Sequence, residues 1–371
     1  MNDQEYMGLA LQLAEKGCGW TAPNPMVGAV IVKDGRIIGQ GWHEKYGGLH
    51  AERNALASCT EPPNGATMYV TLEPCCHYGK QPPCVEAVLE AGIRRVVVGS
   101  ADPNPLVSGK GIRILREHGV QTDVDVLREE CDKLNEVFMY FIQTRLPFVV
   151  MKYAMTLDGK IAAYTGASKW ITGETARNHV QQQRHRYTAI MAGIGTVLAD
   201  DPLLTCRIPD GKNPIRVICD SSMRIPMDAQ IVTTAKQVST ILAVCEKGYQ
   251  NYEKRQALEE AGCRVLCVEE RGGHVDLRQL MHKLGEEQID SVLLEGGGTM
   301  HWAALESGVV RKVQAYVAPK LFGGRDAKTP VEGQGVPSPS EAVLLKNSAV
   351  TRLGEDLLIE SEVAADVHRD C

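Results

Sequence analysis

No stretch of this sequence stays apolar for the roughly 18 to 20 residues that a membrane-spanning helix needs, which excludes a chain threaded through a bilayer by helices. Positive charge is not in excess either: 40 lysines and arginines stand against 46 aspartates and glutamates, a formal charge of -6. A protein that grips a nucleic-acid backbone over a broad surface needs a basic stripe, so nucleic acid is not an expected partner. The opening "MNDQEYMGLALQLAEKG" is an acidic amphipathic pattern without the basic leader, apolar core or cleavage site of a secretory signal. A cytoplasmic location is therefore expected. Internal repeats, low-complexity runs and long flexible linkers are also missing. The 12 cysteines are scattered over the chain and form no dense disulfide framework, so most of them read as small buried hydrophobes.

What is present is an ordinary globular composition, 44% apolar and 23% charged. Its 371 residues exceed what one core usually spans, so two domains are expected. Short β-rich runs ("VGAVIVKDG", "TMYVTL", "RRVVVGS") alternate with helical patterns over 50–59, 84–91 and 109–118. Such alternation predicts an α/β layered domain. A helical stretch, "VLREECDKLNEVFMYFIQTR", then runs to Pro147. "FVVMKYAMT" starts a second series that continues through "PIRVICDS", "STILAVC", "CRVLCVE", "SVLLEGGG" and "VQAYVAPKLFGG". The boundary is placed near 145–147, giving domains over 1–145 and 147–371. The final "VAADVHRDC" reads as a frayed tail.

The chemistry is concentrated in two segments of the first half. "GLHAERNALASC" places His50 and Glu52 in the first turn of a helix, and "TLEPCCHYGKQPPC" follows a strand with Cys75 and Cys84. A catalytic zinc takes three protein ligands and keeps one position for water, and His50, Cys75 and Cys84 make a suitable nitrogen and sulfur set. Glu52 is then left to shuttle a proton to a departing amine, which is hydrolytic deamination. Cys84 follows Pro82-Pro83 at a helix start, where N–H groups and the dipole favour a thiolate. The zinc deaminase signature is His-x-Glu followed by Pro-Cys-x-x-Cys. Here eight residues separate the cysteines instead of two. The competing reading is a structural site closed by Cys76 or His77, and a non-catalytic zinc-stabilised binding module would look the same; Glu52, which such a site does not require, argues against it. A nucleic-acid editing deaminase is opposed by the missing basic stripe and by the large second domain.

In the second half, "SVLLEGGGTMHWAALESG" reads as a buried strand, a glycine turn and a helix, equally a phosphate cradle or a tight connection. Glu295 ends the strand, where α/β sheets face their ligands. Arg184 and Arg207 can meet a phosphate; Arg207, after an apolar pair, is the better placed, since Arg184 lies on a polar helix. Lys152 alternates with apolar neighbours and should reach a ligand or a carboxylate.

The motifs "PNPMVGAVIVKDG", "GLHAE", "TLEPCCHYGKQPPC" and "DPNPLVSGKG", with "KYAMTLDGKIA", "SKWITG", "GIGTVLADDPLLTCR" and "LLEGGG", resemble the bifunctional RibD/RibG family of riboflavin biosynthesis over nearly the whole chain. Cys76 departs from the serine usual there. The resemblance implies a cytidine deaminase-like three-layer domain followed by a dihydrofolate reductase-like α/β domain. It implies one Zn2+ per chain, NADPH as second cofactor, and a small pyrimidine ribonucleotide as substrate. The implied reactions are deamination of 2,5-diamino-6-(5-phosphoribosylamino)pyrimidin-4(3H)-one and then reduction of its ribosyl group. By the same resemblance Asn24, His43, Lys80, Asp102 and Asn104 contact the first substrate. Ala154, Trp170, Thr196, Asp200, Ser221, Gly297 and Gly298 bind NADPH, while Ser168, Arg184, Leu204, Arg207 and Glu295, with Lys152, hold the second. The two asparagines precede prolines and could equally serve turns; His43 could simply end a strand. A homo-oligomer is expected.

Overall fold

The computed structural model describes residues 1–79, 81–104 and 107–364. Lys80 and nearly all of the expected C-terminal tail lie outside the described residues. The chain divides into two compact units, Met1–Arg145 and Leu146–Cys371. Among the described residues no helix is long and apolar enough to cross a membrane.

The first unit runs α1 (Asp3–Glu15), β1 (Gly28–Lys33), β2 (Arg36–Trp42), α2 (Ala51–Ala57), β3 (Thr67–Leu72), α3 (Cys84–Glu90), β4 (Arg95–Ser100), α4 (Lys110–Glu117), β5 (Gln121–Asp123), α5 (Arg128–Leu134) and α6 (Glu136–Thr144). Its sheet has the order β2-β1-β3-β4-β5. The strand β1 pairs antiparallel with β2 and β3, whereas β3, β4 and β5 are parallel. Successive side chains of a strand face opposite ways, so β1 serves two cores. Ala29 and Ile31 pack with Ala51 and Ala55 of α2 and with Val85 and Val88 of α3. Val30 and Val32 pack with Met7 and Ala10 of α1 and Cys131 of α5. Burial on both faces explains the unbroken apolar run, and each fully buried Val or Ile contributes about 1.5–3 kcal/mol. The result is three layers. Gly28 lets α1 approach: a Cβ there would lie 1.9 Å from the Ala10 carbonyl oxygen.

The helical stretch expected as one element before residue 145 is two helices, α5 and α6. Asn135 breaks it: its side chain accepts from the Met26 N–H at 2.8 Å and donates to the Met26 carbonyl at 2.9 Å. A side chain that bonds a distant backbone pair fixes the chain there at the expense of helix continuity.

The second unit runs β6 (Phe148–Thr156), α7 (Glu174–Arg186), β7 (Ala189–Gly193), α8 (Ile194–Asp200), β8 (Ile215–Cys219), α9 (Gln230–Thr233), β9 (Thr240–Val244), α10 (Glu246–Tyr249), α11 (Tyr252–Glu260), β10 (Cys263–Cys267), β11 (Glu270–Arg271), β12 (His274–Val275), α12 (Leu277–Glu286), β13 (Ser291–Leu294), α13 (Gly298–Glu306), β14 (Val310–Ala318), β15 (Leu345–Leu353) and β16 (Asp356–Val363). A nine-stranded sheet has the order β10-β9-β8-β7-β13-β6-β14-β16-β15. Pairing is parallel from β10 to β14 and antiparallel from β14 to β15. Met191 and Leu294 bury one face with Leu280 and Leu284 of α12, while Ile190 and Ile218 bury the other with Val197 of α8 and Leu258 of α11. Parallel strands share a direction, so the loops after β8, β7 and β13 emerge along one edge of the sheet. Ligands of open α/β sheets bind at that edge.

Candidate active sites

In the first unit, the loop after β3 delivers Cys75 and two helix starts deliver its companions. His50 is the N-cap of α2, and Cys84 is the first residue of α3 behind Pro83. His50 Nδ1 lies 3.5 Å from Cys75 Sγ and 3.3 Å from Cys84 Sγ. One nitrogen and two sulfurs therefore sit within 4.8 Å of one another, and among the described residues neither Cys76 nor His77 joins them. Cys76 packs against the apolar core shared by α2 and α3.

The Cys84 N–H donates to Cys75 Sγ at 3.3 Å. The neighbouring Cys84 and His50 draw the Cys75 thiol well down against the cost of burial. The Cys84 thiol is pushed up in return, by Cys75 and by burial. His50 is raised by its bond to Cys75. Glu52 is 3% exposed, and burial followed by the adjacent Cys75 pushes its carboxyl up to about 7. A carboxyl that changes protonation near neutrality suits a group that both takes and returns a proton.

Around this centre the structure gathers several of the other expected residues. His43 donates from Nδ1 to the Leu49 carbonyl at 3.0 Å, so its Nε2 accepts from the Asn24 amide at 3.4 Å. Its ring meets that of His50 edge-on at 5.4 Å. Asp102 is buried, and burial lifts its carboxyl to about 6; its Oδ1 accepts from the Asn104 N–H at 2.8 Å. Glu73 was not expected. It is buried one residue before Pro74-Cys75, and its carboxylate accepts from the Gly109 N–H at 2.9 Å, the Ile112 N–H at 3.2 Å and the Asp102 N–H at 3.4 Å. It thereby ties the cysteine turn to the segment carrying Asp102. An acid at a strand end beside a cysteine was the available signal.

In the second unit, Glu295 follows β13 and is met by two cations. Arg184 Nε and Nη2 donate to its two oxygens at 2.8 and 3.0 Å, and Lys152 Nζ donates at 3.1 Å. Arg184 also donates from Nη1 to the Thr205 carbonyl at 3.0 Å. Arg184 is enclosed, whereas Arg207 is exposed, with its N–H on Gln181 Oε1 at 2.9 Å. The polar look of α7 concealed an arginine turned inward. Leu204 is buried with φ +51, a left-handed conformation that a branched side chain adopts only under constraint.

Residues expected at a nucleotide fall along the shared strand-end edge. Ser221 follows β8, Thr196 and Asp200 lie on α8 after β7, and Gly297 and Gly298 start α13 after β13. Ala154 lies in the last third of β6, the strand beside β13. Trp170 is 62% exposed, with the Arg177 guanidinium 4.9 Å from its ring centre. Ser168 is half-buried nearby in sequence. A Cβ on Gly297 would meet nothing within 4 Å, so the turn has open space above it.

Comparison with known proteins agrees with this division. Residues 1–100 match the cytidine and deoxycytidylate deaminase zinc-binding region, and residues 147–359 match the RibD C-terminal domain. The riboflavin biosynthesis protein RibD of Actinobacillus pleuropneumoniae is 53% identical over 97% of this chain and 95% of its own; that of Aquifex aeolicus is 41% identical over 96% and 97%. The structure of Acinetobacter baumannii RibD superposes with a TM-score of 0.87 at 37% identity, covering 98% of this chain and 99% of that one. The diaminohydroxyphosphoribosylaminopyrimidine deaminase/5-amino-6-(5-phosphoribosylamino)uracil reductase of Thermotoga maritima does so with 0.86, at the same identity and coverage. With both units matched in order and nearly end to end, the chain belongs to the RibD family of bifunctional riboflavin biosynthesis enzymes, a deaminase followed by a reductase.

Proposed function

We propose that the first unit deaminates 2,5-diamino-6-(5-phosphoribosylamino)pyrimidin-4(3H)-one and that the second reduces the ribosyl group of the product with NADPH to give 5-amino-6-(5-phosphoribitylamino)uracil. The observation that carries the first step is Glu52, buried outside the ligand group, with its carboxyl pushed up to about 7 by burial and by the adjacent Cys75. A purely structural metal site has no use for such a carboxyl. The donor set fits zinc, with His50, Cys75 and Cys84 as ligands. When bound, zinc supplies Lewis acidity that makes water nucleophilic near neutrality. Glu52 takes a proton from the attacking water and returns it to the departing amine, which leaves as ammonia. Asn24, His43, Asp102 and Asn104 orient the pyrimidine nucleotide.

For the second step the glycine turn and the strand-end residues fit a dinucleotide. NADPH supplies the hydride. The protein holds the C1 of the opened sugar against it, with Lys152 and Glu295 beside the substrate. Because Arg184 is already committed to Glu295 and Thr205, the exposed Arg207 meets the phosphate, and Arg184 holds Glu295 and the segment that carries Leu204. The test is mass spectrometry of the purified protein with the diaminopyrimidine nucleotide. Exchange of amine for carbonyl is expected without NADPH, and gain of hydrogen only with it; hydrogen gain without NADPH would overturn the cofactor assignment. Metal analysis should find about one zinc per chain, lost in His50→Ala and Cys84→Ser and kept in Cys76→Ser. Retention in Cys84→Ser would remove Cys84 from the ligand set.

A further inference from the structure

His301 is wholly buried in the first turn and a half of α13. One ring nitrogen, Nδ1, lies 2.7 Å from the Pro330 carbonyl oxygen, and the other, Nε2, lies 3.2 Å from the Gly296 backbone nitrogen. Chemistry fixes the proton. A carbonyl can only accept and an N–H can only donate, so Nδ1 carries the hydrogen and Nε2 is the bare acceptor. Both ends of a neutral imidazole are engaged. Burial, with the nearby Lys152, holds the ring down to about 4 against the pull of the Pro330 carbonyl.

The two groups that His301 joins flank the glycine turn. Gly296 is its first residue. Pro330 belongs to a strap that lies on the start of α13: the Glu332 N–H donates to the Gly298 carbonyl at 3.0 Å, and a Cβ on Gly298 would come within 2.6 Å of the Thr329 carbonyl oxygen. Gly333 sits against Trp302, where a Cβ would lie 2.3 Å from the ring. The Gly296 N–H is thereby turned inward onto the imidazole. The next amides, at the start of a nine-residue helix, have no intrahelical acceptor, and the space above Gly297 is open.

We infer that His301 is a positioning residue for the reductase cofactor: it clamps Gly296 to the Pro330 strap, so that the amides beginning at Gly297 are pre-aimed at a phosphate of the dinucleotide. This rests on the reading of the glycine turn as the NADPH site. His301 touches neither substrate nor cofactor; it acts through the backbone of the turn. A glutamine can reproduce both bonds, accepting with its carbonyl and donating with its amide, whereas leucine can reproduce neither.

The experiment is a fluorescence titration of the full-length protein with NADPH alone, on the parent, His301→Leu and His301→Gln, with deamination as control. His301→Leu is expected to weaken NADPH binding about tenfold or more, roughly the worth of one buried hydrogen bond, and His301→Gln to restore most of it. In turnover, the leucine variant should raise KM for NADPH while leaving kcat at saturation nearly intact. Parental NADPH affinity in a folded His301→Leu protein would overturn the inference, as would a glutamine variant no better than leucine. Failure of the parent itself to bind NADPH would instead overturn the cofactor reading beneath it. Nitrogen-15 NMR of the imidazole gives a check that needs no variant: a neutral ring with hydrogen on Nδ1 at pH 5.5 is expected, and hydrogen on Nε2 would refute the clamp.

Discussion

Glu52 in the first unit and Glu295 in the second each stand beside the proposed chemistry, and the two are driven in opposite directions. Burial pushes both carboxyls up. At Glu52 the adjacent Cys75 adds to burial, and the group comes to rest at about 7. At Glu295 the paired Arg184 and Lys152 outweigh burial and hold the carboxyl well below the usual range. Depth therefore does not decide what a buried acid can do; its nearest charges do. Glu52 is left able to exchange a proton, whereas Glu295 is a fixed anion whose work is to hold two cations in place.

The largest effect expected from breaking this contrast is at Glu52. Glu52→Gln should keep its zinc and lose deamination by roughly 10²–10⁴-fold, the scale of a positioned acid–base group. Given the deaminated nucleotide, it should oxidise NADPH at the parental rate. Near-normal deamination in the zinc-loaded variant would end the proton-shuttle assignment, and parallel loss of NADPH oxidation would end the independence of the two sites. Glu295→Gln should act first on stability. Two enclosed cations lose their partner, a change that costs about 3–5 kcal/mol when a buried pair is broken. Denaturant unfolding should show that loss in the second unit, with deamination preserved; an unchanged midpoint would mean that the cations find other acceptors.

Acid offers a gentler probe of the second unit. His301 has a folded pKa of about 4, below its ordinary 6.5. The unfolded chain therefore binds the proton first. Its contribution is complete above pH 6.5 and falls as pH drops toward 4. Between those limits the parent should lose on the order of 1–3 kcal/mol more than His301→Gln, which has nothing to titrate there. Equal acid sensitivity of the two proteins in denaturant melts would contradict this. The smallest expected effect is at Arg207. Arg207→Ala should raise the KM of the reductase for its phosphorylated substrate about tenfold, the range of one charge-assisted contact, and should leave deamination alone. Equal loss in both assays would indicate misfolding.

How much of this was legible in the sequence differs between the units for the same reason that the glutamates differ. In the first, His50, Glu52, Cys75 and Cys84 lie in two short segments, and metal chemistry restricts which residue types can serve, so spacing nearly spells the site. In the second, Glu295 follows β13 while Lys152 and Arg184 come from β6 and α7, and only the fold brings them together. Nothing local in "QQQRHRYT" distinguishes an inward arginine from a solvated one. Strands with an apolar pattern were readable; β15 was not, because eight of its nine residues are exposed and it carries no alternation to read. The break at Asn135 was hidden because its partner, Met26, is over a hundred residues away.

The three glycines of the turn make one further point, about what evolution or an engineer could change. Gly298 faces a backbone carbonyl that cannot move aside, Gly296 faces only the flexible Met300 side chain, and Gly297 faces nothing. A randomised library spanning these positions, sorted for folded protein alone, should recover glycine strictly at 298, loosely at 296 and hardly at all at 297. Sorted for reductase activity, the same library should demand glycine at 297 as well. The position at which the two selections diverge would mark where the fold's requirement stops and the ligand's begins.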